Sequence, residues 1–147
     1  MNILVTGAHG QLGSELNTMI DAIYTDVDEL DITNNEMLSG FVERHTITHI
    51  INCAAYTQVD NAEKEKEQAF FINRDAVKNL ANVARMHNIR LVHISTDFVF
   101  NGNKSTPYTE DDMPDPISVY GASKYEGERA IVTSDIDYAI VRTSWLY

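Results

Sequence analysis

Tyr120 and Lys124 are the two residues whose types and spacing point most directly to chemistry. They lie four positions apart in the segment Tyr-Gly-Ala-Ser-Lys, and on a helix this spacing places both side chains on one face. A carbonyl that accepts a hydride becomes an alkoxide and must be protonated as it forms. A phenol can donate that proton, and a neighbouring ammonium group would lower its pKa from the ordinary value of about 10. The pair therefore predicts a proton donor for carbonyl reduction, although the spacing alone more often means a surface tyrosine stacked on a lysine stem.

Thr96 is the third residue of this candidate site. It ends an apolar stretch, Arg90 to Thr96, that predicts a buried strand. Its hydroxyl could hydrogen-bond the substrate oxygen and hold it near Tyr120, while Lys124 could reach the ribose hydroxyls of a nicotinamide nucleotide. His93, in the same strand, is predicted to be a core histidine without a catalytic role. The long segment that follows holds all three prolines, and a loop of that length is usually functional.

Three glycines, Gly7, Gly10 and Gly13, follow the apolar residues Ile3 to Val5 and open an amphipathic stretch. A strand, a glycine-rich turn and a helix in this order can bind the pyrophosphate of a dinucleotide, because free N–H groups and the helix dipole favour an anion. The glycines would allow a tight turn, close approach of the pyrophosphate, and close packing of the helix on the strand. Contacts with the cofactor are predicted for Gly7, His9, Gly10, Gln11 and Leu12. A glycine-rich turn without this context is more often only a turn.

Asp26 ends the second predicted strand, which runs from Ala22 to Asp26. A carboxylate at this distance from the glycine turn can accept hydrogen bonds from the adenosine ribose and repel a 2′-phosphate. Two further acidic residues follow, and no Arg or Lys lies between positions 13 and 44. The sequence therefore favours NADH over NADPH as the cofactor, with a simple turn-capping role for Asp26 as the alternative.

Small residues end the third predicted strand, which runs from His49 to Ala55. At the carboxyl end of a parallel strand, small side chains let a flat cofactor lie against the backbone. Contacts with the cofactor are predicted for Ala54, Ala55 and Tyr56.

Helices are predicted between these strands, so the fold class is α/β with a doubly wound, Rossmann-type parallel sheet. Asp31 or Thr33 would cap the helix that begins near Asn34. In the next helix, Asn73 is interpreted first as a buried, hydrogen-bonded polar group and second as a site residue. The charged opening of that helix is predicted to be a solvated face with local ion pairs. The predicted spans are Asn34 to Arg44, Ala62 to His87 and Ser118 to Val132 for helices, and Asp137 to Leu146 for a fifth strand.

Composition limits the function classes. The chain has 147 residues, which suits one domain, and its net charge of −11 argues against nucleic acid or an anionic membrane as a partner. No apolar run approaches the ~20 residues of a membrane span, and no signal segment is visible, so a cytoplasmic location is expected. The single cysteine, Cys53, excludes an intramolecular disulfide and cannot build a metal site by itself. No metal is therefore expected.

Several segments resemble the dTDP-4-dehydrorhamnose reductases of the extended short-chain dehydrogenase/reductase superfamily. They are TGAHGQLG from Thr6, NCAAYT from Asn52, STDFVF from Ser95, YGASK from Tyr120 and RTSWLY from Arg142. The resemblance implies a Thr96–Tyr120–Lys124 triad that reduces the 4-keto group of dTDP-6-deoxy-L-lyxo-4-hexulose with NADH or NADPH. The product would be dTDP-L-rhamnose, a nucleotide sugar for cell-surface polysaccharide. A further stretch resembles the family's D-[LI]-T segment, which implies that Asp31 and Ile32 lie beside the adenine.

Members of that family continue past the equivalent of Tyr147 into further strands and a smaller substrate domain. On this resemblance, residues 1–147 are expected to form an incomplete NAD(P)-binding domain that binds cofactor with little or no turnover. The expected sheet lacks its last strands. An unfinished sheet edge could invite pairing with another chain, so a homodimer is a further hypothesis.

Two other classes of function stay open. A nucleotide-sugar epimerase uses the same tyrosine and lysine, whereas a dehydratase would need Asp-Glu after the threonine and this chain has Asp97 and Phe98. A non-catalytic regulator that resembles the β subunit of methionine adenosyltransferase is the second alternative. Turnover of a keto-sugar nucleotide would separate the enzyme from the regulator.

Overall fold

Five parallel strands form one sheet in the computed structural model, which describes residues 1–144 and 146. The order across the sheet is β2-β1-β3-β4-β5, so the doubly wound α/β prediction is confirmed. The strands are β1 (Ile3–Thr6), β2 (Ile23–Thr25), β3 (His49–Asn52), β4 (Arg90–Thr96) and β5 (Tyr138–Thr143). The third and fifth strands are shorter than predicted, and Trp145, within the fifth predicted strand, lies outside the described residues together with Tyr147.

The helices cover the two faces of the sheet unequally. They are α1 (Gln11–Met19), α2 (Asn35–Arg44), α3 (Val59–Ala62), α4 (Lys66–Phe70), α5 (Val77–His87) and α6 (Val119–Val132). The connections through α2, α5 and α6 step across the sheet in one direction, and these helices pack side by side. The connection through α1 steps the other way, so the right-handed crossover rule places α1 on the opposite face. Of the residues of α1, only Gly13 is buried.

The main core lies between the sheet and α2, α5 and α6. Leu4, Ile50 and Leu91 occupy matching positions on β1, β3 and β4 and are fully buried. Leu38 of α2 and Leu80 of α5 pack against them from the helical layer. This layer supports the carboxyl edge of the sheet, where the predicted site residues lie.

The single long helix predicted from Ala62 to His87 is wrong in detail. The chain forms α3 and α4, then a π-helical segment (Phe71–Ala76), and then α5. A π-helical turn accommodates an extra residue, and such turns are frequent at functional sites. Here the segment contains Asn73. The backbone carbonyl oxygen of Asn73 lies so close to α6 that a Cβ on Gly127 would be only 2.1 Å from it.

The cap of α2 also differs from the prediction. Asn34 itself caps the helix, because its side-chain oxygen accepts a hydrogen bond of 3.0 Å from the Met37 N–H. Asp31 instead accepts hydrogen bonds from the backbone N–H and hydroxyl of Thr33, which forms a local turn before the cap. No described helix combines the length and apolar composition that a membrane span requires.

Gly127→Ala is expected to destabilise the fold by about 2 kcal/mol, because the added methyl group overpacks the contact between α6 and the π-helical segment. Urea unfolding measures this change. Gly40→Ala is the matched control, since Gly40 is exposed in α2 and a Cβ there meets nothing within 4 Å. The control should gain roughly 0.5–1 kcal/mol from helix propensity. A Gly127→Ala protein as stable as the unsubstituted chain would contradict the close contact.

Candidate active site

The glycine turn lies at the carboxyl end of β1 and packs on the segment that follows β3. Gly7 has a φ of +71°, and a Cβ there would lie 2.6 Å from the Ala54 backbone nitrogen. A Cβ on Gly13 would lie 2.2 Å from the Gly7 oxygen, so α1 also packs closely on the turn. The first helical hydrogen bond runs from Ser14 N–H to Gly10 O, so the N–H groups of the first helical residues, Gln11 and Leu12, are the donors that a helix start leaves for an anion. The cradle fits a pyrophosphate.

Asp26 follows β2 directly and lies beside the glycine turn. Its two carboxylate oxygens accept hydrogen bonds of 2.8 Å from the backbone N–H groups of His9 and Val27. Burial acts to raise the pKa of Asp26, but these hydrogen bonds outweigh it and the pKa is lowered. Asp26 therefore carries a negative charge near neutral pH. The side chains of His9 and Gln11 are exposed and that of Leu12 is half-buried.

The two residues predicted to lie beside the adenine have different environments. Asp31 is half-buried in its turn with Thr33, whereas Ile32 is 7% exposed and belongs to the main core. Asn79 of α5 donates a hydrogen bond of 2.9 Å to the Thr33 carbonyl. The core thus fixes this loop next to the carboxyl end of β2.

Tyr56 is held by Asn73 through both of its backbone polar groups. The Tyr56 N–H donates to the Asn73 side-chain oxygen at 2.9 Å, and the Asn73 amide donates to the Tyr56 carbonyl at 3.0 Å. The same amide donates to the Ser123 hydroxyl on α6. Asn73 is 1% exposed, as the first interpretation of this residue predicted. Ala54 and Ala55, just before Tyr56, are half-buried and lie beyond the end of β3.

The charged opening from Glu63 to Glu67 is exposed, as predicted, and two of its carboxylates also contact the site. Glu63 accepts a hydrogen bond of 2.8 Å from the Val119 N–H at the start of α6. The Tyr56 hydroxyl donates to Glu65 at 2.5 Å. Sequence reasoning missed both contacts, because a run of alternating charges carries no signal for such a partner.

Tyr120 and Thr96 meet at the carboxyl edge of β4. Tyr120 is 9% exposed and Thr96 is 6% exposed, and the Thr96 hydroxyl lies near enough to act on the pKa of the phenol. The Thr96 hydroxyl also accepts a hydrogen bond of 3.2 Å from the Phe98 N–H. The Phe98 ring contacts the Tyr120 ring edge to face at 5.6 Å between centroids. Gly121 permits this approach, since a Cβ there would lie 2.2 Å from the Phe98 carbonyl oxygen.

The expected lowering of the Tyr120 pKa is not what the structure gives. Burial raises the pKa of Tyr120, and the charge of Asp97 adds to this, while the Thr96 hydroxyl acts in the opposite direction. Lys124 lies one helical turn away, but its Nζ donates a hydrogen bond of 2.7 Å to the Ile94 carbonyl of β4. The phenol is consequently protonated near neutral pH.

Lys124 is almost completely enclosed, at 2% exposed. Burial lowers its pKa from 10.5 to about 8, although the charges of Glu128 and Cys53 act to raise it. Glu128, one turn further along α6, is also 2% exposed. Sequence reasoning did not single out Glu128, whose four-residue spacing from Lys124 was the available signal.

Two other buried groups have structural roles. His93 is fully buried and its Nδ1 lies 2.9 Å from the Asn52 side-chain nitrogen, which supports the prediction of a core histidine. Asn52 accepts a hydrogen bond of 2.7 Å from the Thr6 hydroxyl, so a polar row crosses three strands. Burial raises the pKa of the Cys53 thiol to about 11. In the described residues, no group of three or more His, Cys, Asp or Glu could hold a metal ion.

Known proteins resemble this chain along almost its whole length. A dTDP-4-dehydrorhamnose reductase from Aggregatibacter actinomycetemcomitans is 44% identical over 99% of the chain and 51% of its own length. A dTDP-4-keto-6-deoxy-D-glucose reductase from Streptomyces niveus is 41% identical over 98% of the chain and 52% of its own length. A crystal structure of dTDP-4-dehydrorhamnose reductase from Bacillus anthracis, in complex with NADP, is 43% identical with a TM-score of 0.96. That match covers 99% of this chain and 54% of the crystallised one.

The sequence profile described as the RmlD substrate binding domain matches residues 1–147. The chain belongs to the RmlD family. It spans about half the length of the curated relatives it matches. The resemblance inferred from the glycine turn, the tyrosine–lysine pair and their flanking segments is therefore confirmed at the level of the family, and the chain is homologous to dTDP-4-dehydrorhamnose reductases.

Lys124→Met is expected to remove a pH-dependent loss of stability. Above the ordinary lysine pKa of 10.5 both proteins carry a neutral side chain at position 124, and their stabilities should change with pH in the same way. As the pH falls from 10.5 to about 8, the unfolded chain takes up a proton that the folded chain resists. The unsubstituted protein should therefore lose stability relative to the variant over this window, by about 3 kcal/mol in all.

Urea unfolding of both proteins between pH 7 and pH 10 measures this difference. Lys78→Met is the control, because Lys78 is exposed on α5 and its loss should leave the pH dependence unchanged. Parallel stability curves for Lys124→Met and the unsubstituted chain would show that the amine is not buried.

Proposed function

We propose that this protein takes part in the NAD(P)H-dependent reduction of the 4-keto group of a dTDP-4-keto-6-deoxyhexose, with dTDP-4-dehydro-L-rhamnose as the substrate. The observation that carries the proposal is that the buried side chains of Thr96 and Tyr120 come together at the carboxyl edge of the sheet, on the same edge as the Gly7 turn. Lys124 lies one turn behind Tyr120 on α6. The names of the relatives supply the substrate class.

A reduced nicotinamide, when bound, supplies the hydride. The Tyr120 hydroxyl gives its proton to the substrate oxygen as the alkoxide forms. The raised pKa keeps the phenol protonated before the reaction, which suits a proton donor. Thr96 donates a hydrogen bond that holds the oxygen in place and stabilises its developing charge. The Lys124 ammonium, which donates to the Ile94 carbonyl, would reach the ribose hydroxyls of the nicotinamide nucleotide.

The cofactor half of the site is proposed to lie within residues 1–147. The Gly7 turn and the free N–H groups at the start of α1 would hold the pyrophosphate, together with His9, Gly10, Gln11 and Leu12. Asp31, Ile32, Ala54, Ala55 and Tyr56 would line the rest of the dinucleotide. Contacts with the sugar nucleotide would come largely from the half of the relatives that this chain does not cover.

Cofactor choice is proposed to depend on Asp26. Its carboxylate is ionised and would lie beside the adenosine ribose. There it would accept hydrogen bonds from the ribose hydroxyls and repel a 2′-phosphate. The Bacillus anthracis relative was crystallised with NADP, so the test compares the affinities of this chain for NADH and NADPH. We expect NADH to bind more tightly to this chain.

Tyr120→Phe is expected to slow reduction at least 100-fold, because a positioned proton donor contributes 10²–10⁴-fold. Cofactor binding should stay within about 2-fold, since the phenol contributes little to it. NADH binding is measured by fluorescence titration of the chain. Turnover is measured with the keto-sugar nucleotide after joining the chain to the second half of the Aggregatibacter relative.

Tyr138→Phe is the matched control, because Tyr138 is exposed at the start of β5 and should leave turnover unchanged. Full activity in Tyr120→Phe would remove the phenol as the proton donor. A protein that binds cofactor yet never turns over the keto-sugar would instead favour the regulatory-subunit alternative.

Asp26→Asn is expected to narrow the preference for NADH over NADPH, because the amide no longer repels a 2′-phosphate. The ratio of the two dissociation constants, from fluorescence titrations, is the measurement. Asp28→Asn, an exposed acidic residue two positions on, serves as the control. An unaltered ratio in Asp26→Asn would show that this carboxylate does not contact the ribose.

A further inference from the structure

Glu128 connects three elements of the fold around Lys124. It is 2% exposed on α6, and its Oε1 accepts a hydrogen bond of 2.5 Å from the Ser95 hydroxyl on β4. Arg142 on β5 donates to both carboxylate oxygens, from Nε at 3.0 Å and from Nη2 at 2.6 Å. Such a two-pronged pairing of guanidinium and carboxylate fixes orientation as well as distance.

Arg142 extends this connection to the loop after β4. The centre of its guanidinium lies 5.0 Å from the Phe100 ring centroid. Phe100 in turn stacks on Tyr108 at 4.2 Å with an angle of 7° between the rings. Burial acts to lower the pKa of Arg142, but the hydrogen bond to Glu128 outweighs it and the pKa is raised. The loop that leaves the catalytic edge therefore rests on the cation that holds Glu128.

A buried ion pair usually adds little net stability to a fold. Removing two charges from water costs several kcal/mol, and apolar replacements are often neutral or stabilising. The position of Glu128 supports a second role, because Lys124 lies one turn before it and Ser95 lies next to Thr96. The carboxylate thus pairs with Arg142 on one side, while the residue before its partner Ser95, Ile94, accepts the hydrogen bond from Lys124.

We propose that Glu128, held in place by Arg142, is the positioning residue of Lys124: it anchors α6 to Ser95 and supplies the negative charge that keeps the lysine amine protonated inside the fold. This inference rests on the proposed function, in which Lys124 serves the reduction. Arg142 moderates the same charge, because it pairs directly with the Glu128 carboxylate.

The other titratable groups near Lys124 are neutral near pH 7, so Glu128 supplies the negative charge. Burial lowers the pKa of His93 well below its usual range and raises that of Cys53 to about 11, so both are neutral near pH 7. The Tyr120 phenol is protonated as well. The titratable groups that act on Lys124 are Cys53 after β3, His93 in β4 and Glu128 on α6. Arg142 on β5 pairs with Glu128.

The test measures the titration of the Lys124 amine directly, by ¹⁵N NMR of the lysine side chains, with Lys124→Met to assign the signal. Glu128→Gln should lower the pKa of Lys124 by about one unit, because an attractive charge is lost. Arg142→Met should raise it, because Glu128 is left uncompensated. A purely structural pair would not shift the titration in opposite directions, so equal shifts or no shift would overturn the inference.

Two further variants guard against misfolding. Arg142→Lys keeps the positive charge and loses the two-pronged geometry, so it should titrate close to the unsubstituted chain. Glu126→Gln is the matched control, since Glu126 pairs with Arg129 at 2.9 Å on the outer face of the same helix. It should leave the Lys124 titration unchanged. A shift in Glu126→Gln as large as that in Glu128→Gln would also contradict the inference.

Turnover is not needed for this measurement, so the two proposals can fail separately. Opposite shifts without turnover by the joined protein would count against the reductase function and not against the role of Glu128. In an active joined protein, the alkaline limb of the kcat/KM profile should move with the Lys124 titration in each variant, because activity requires the protonated amine. An active Glu128→Gln protein with an unmoved profile and an unmoved titration would overturn the positioning role.

Discussion

The side chain of Asn73 is the contact on which the arrangement of the site depends. Its carboxamide pairs both backbone groups of Tyr56 and reaches Ser123 on α6. These are buried polar groups, and each would cost about 1–3 kcal/mol if left without a partner. One amide therefore sets the distance between the segment after β3, which is proposed to line the cofactor, and the helix that carries Tyr120. The π-helical turn gives Asn73 its place, and Gly127 lets α6 approach it.

Electrostatics in the site follow from burial. Lys124 and Tyr120 are both enclosed, and burial moves both groups toward their neutral forms. Two groups favour the protonated form of Lys124 against this effect of burial: the backbone carbonyl of Ile94 accepts its hydrogen bond, and the charge of Glu128 raises its pKa. In the proposed reduction, the raised pKa of Tyr120 is useful, because a proton donor must hold its proton until the substrate oxygen becomes basic.

Much of the architecture could be predicted because it follows from simple periodicity. The apolar run that ends at Thr96 and the helix that begins after Ser118 are found where the pattern puts them, and the four-residue spacing of Tyr120 and Lys124 fixes their common face. The π-helical turn was not predictable, because its residues carry the same apolar spacing as an α-helix. The Tyr120 pKa was predicted with the wrong sign, since the sequence does not show that the Lys124 amine turns toward Ile94. Glu128 and Arg142 lie on different elements, α6 and β5, and only the tertiary structure shows that they pair.

The unequal covering of the sheet has a consequence for dynamics. Helix α1 lies apart from the layer formed by α2, α5 and α6, and Gly13 is its buried residue. Segments with so little apolar contact open first in native-state hydrogen exchange. The Gly7 turn, which is proposed to bind phosphate, leads directly into this helix. A dinucleotide that bridges the turn and the segment after β3 would therefore slow amide exchange in α1 far more than in α5. Ligand binding and the local ordering of α1 are then one thermodynamic event.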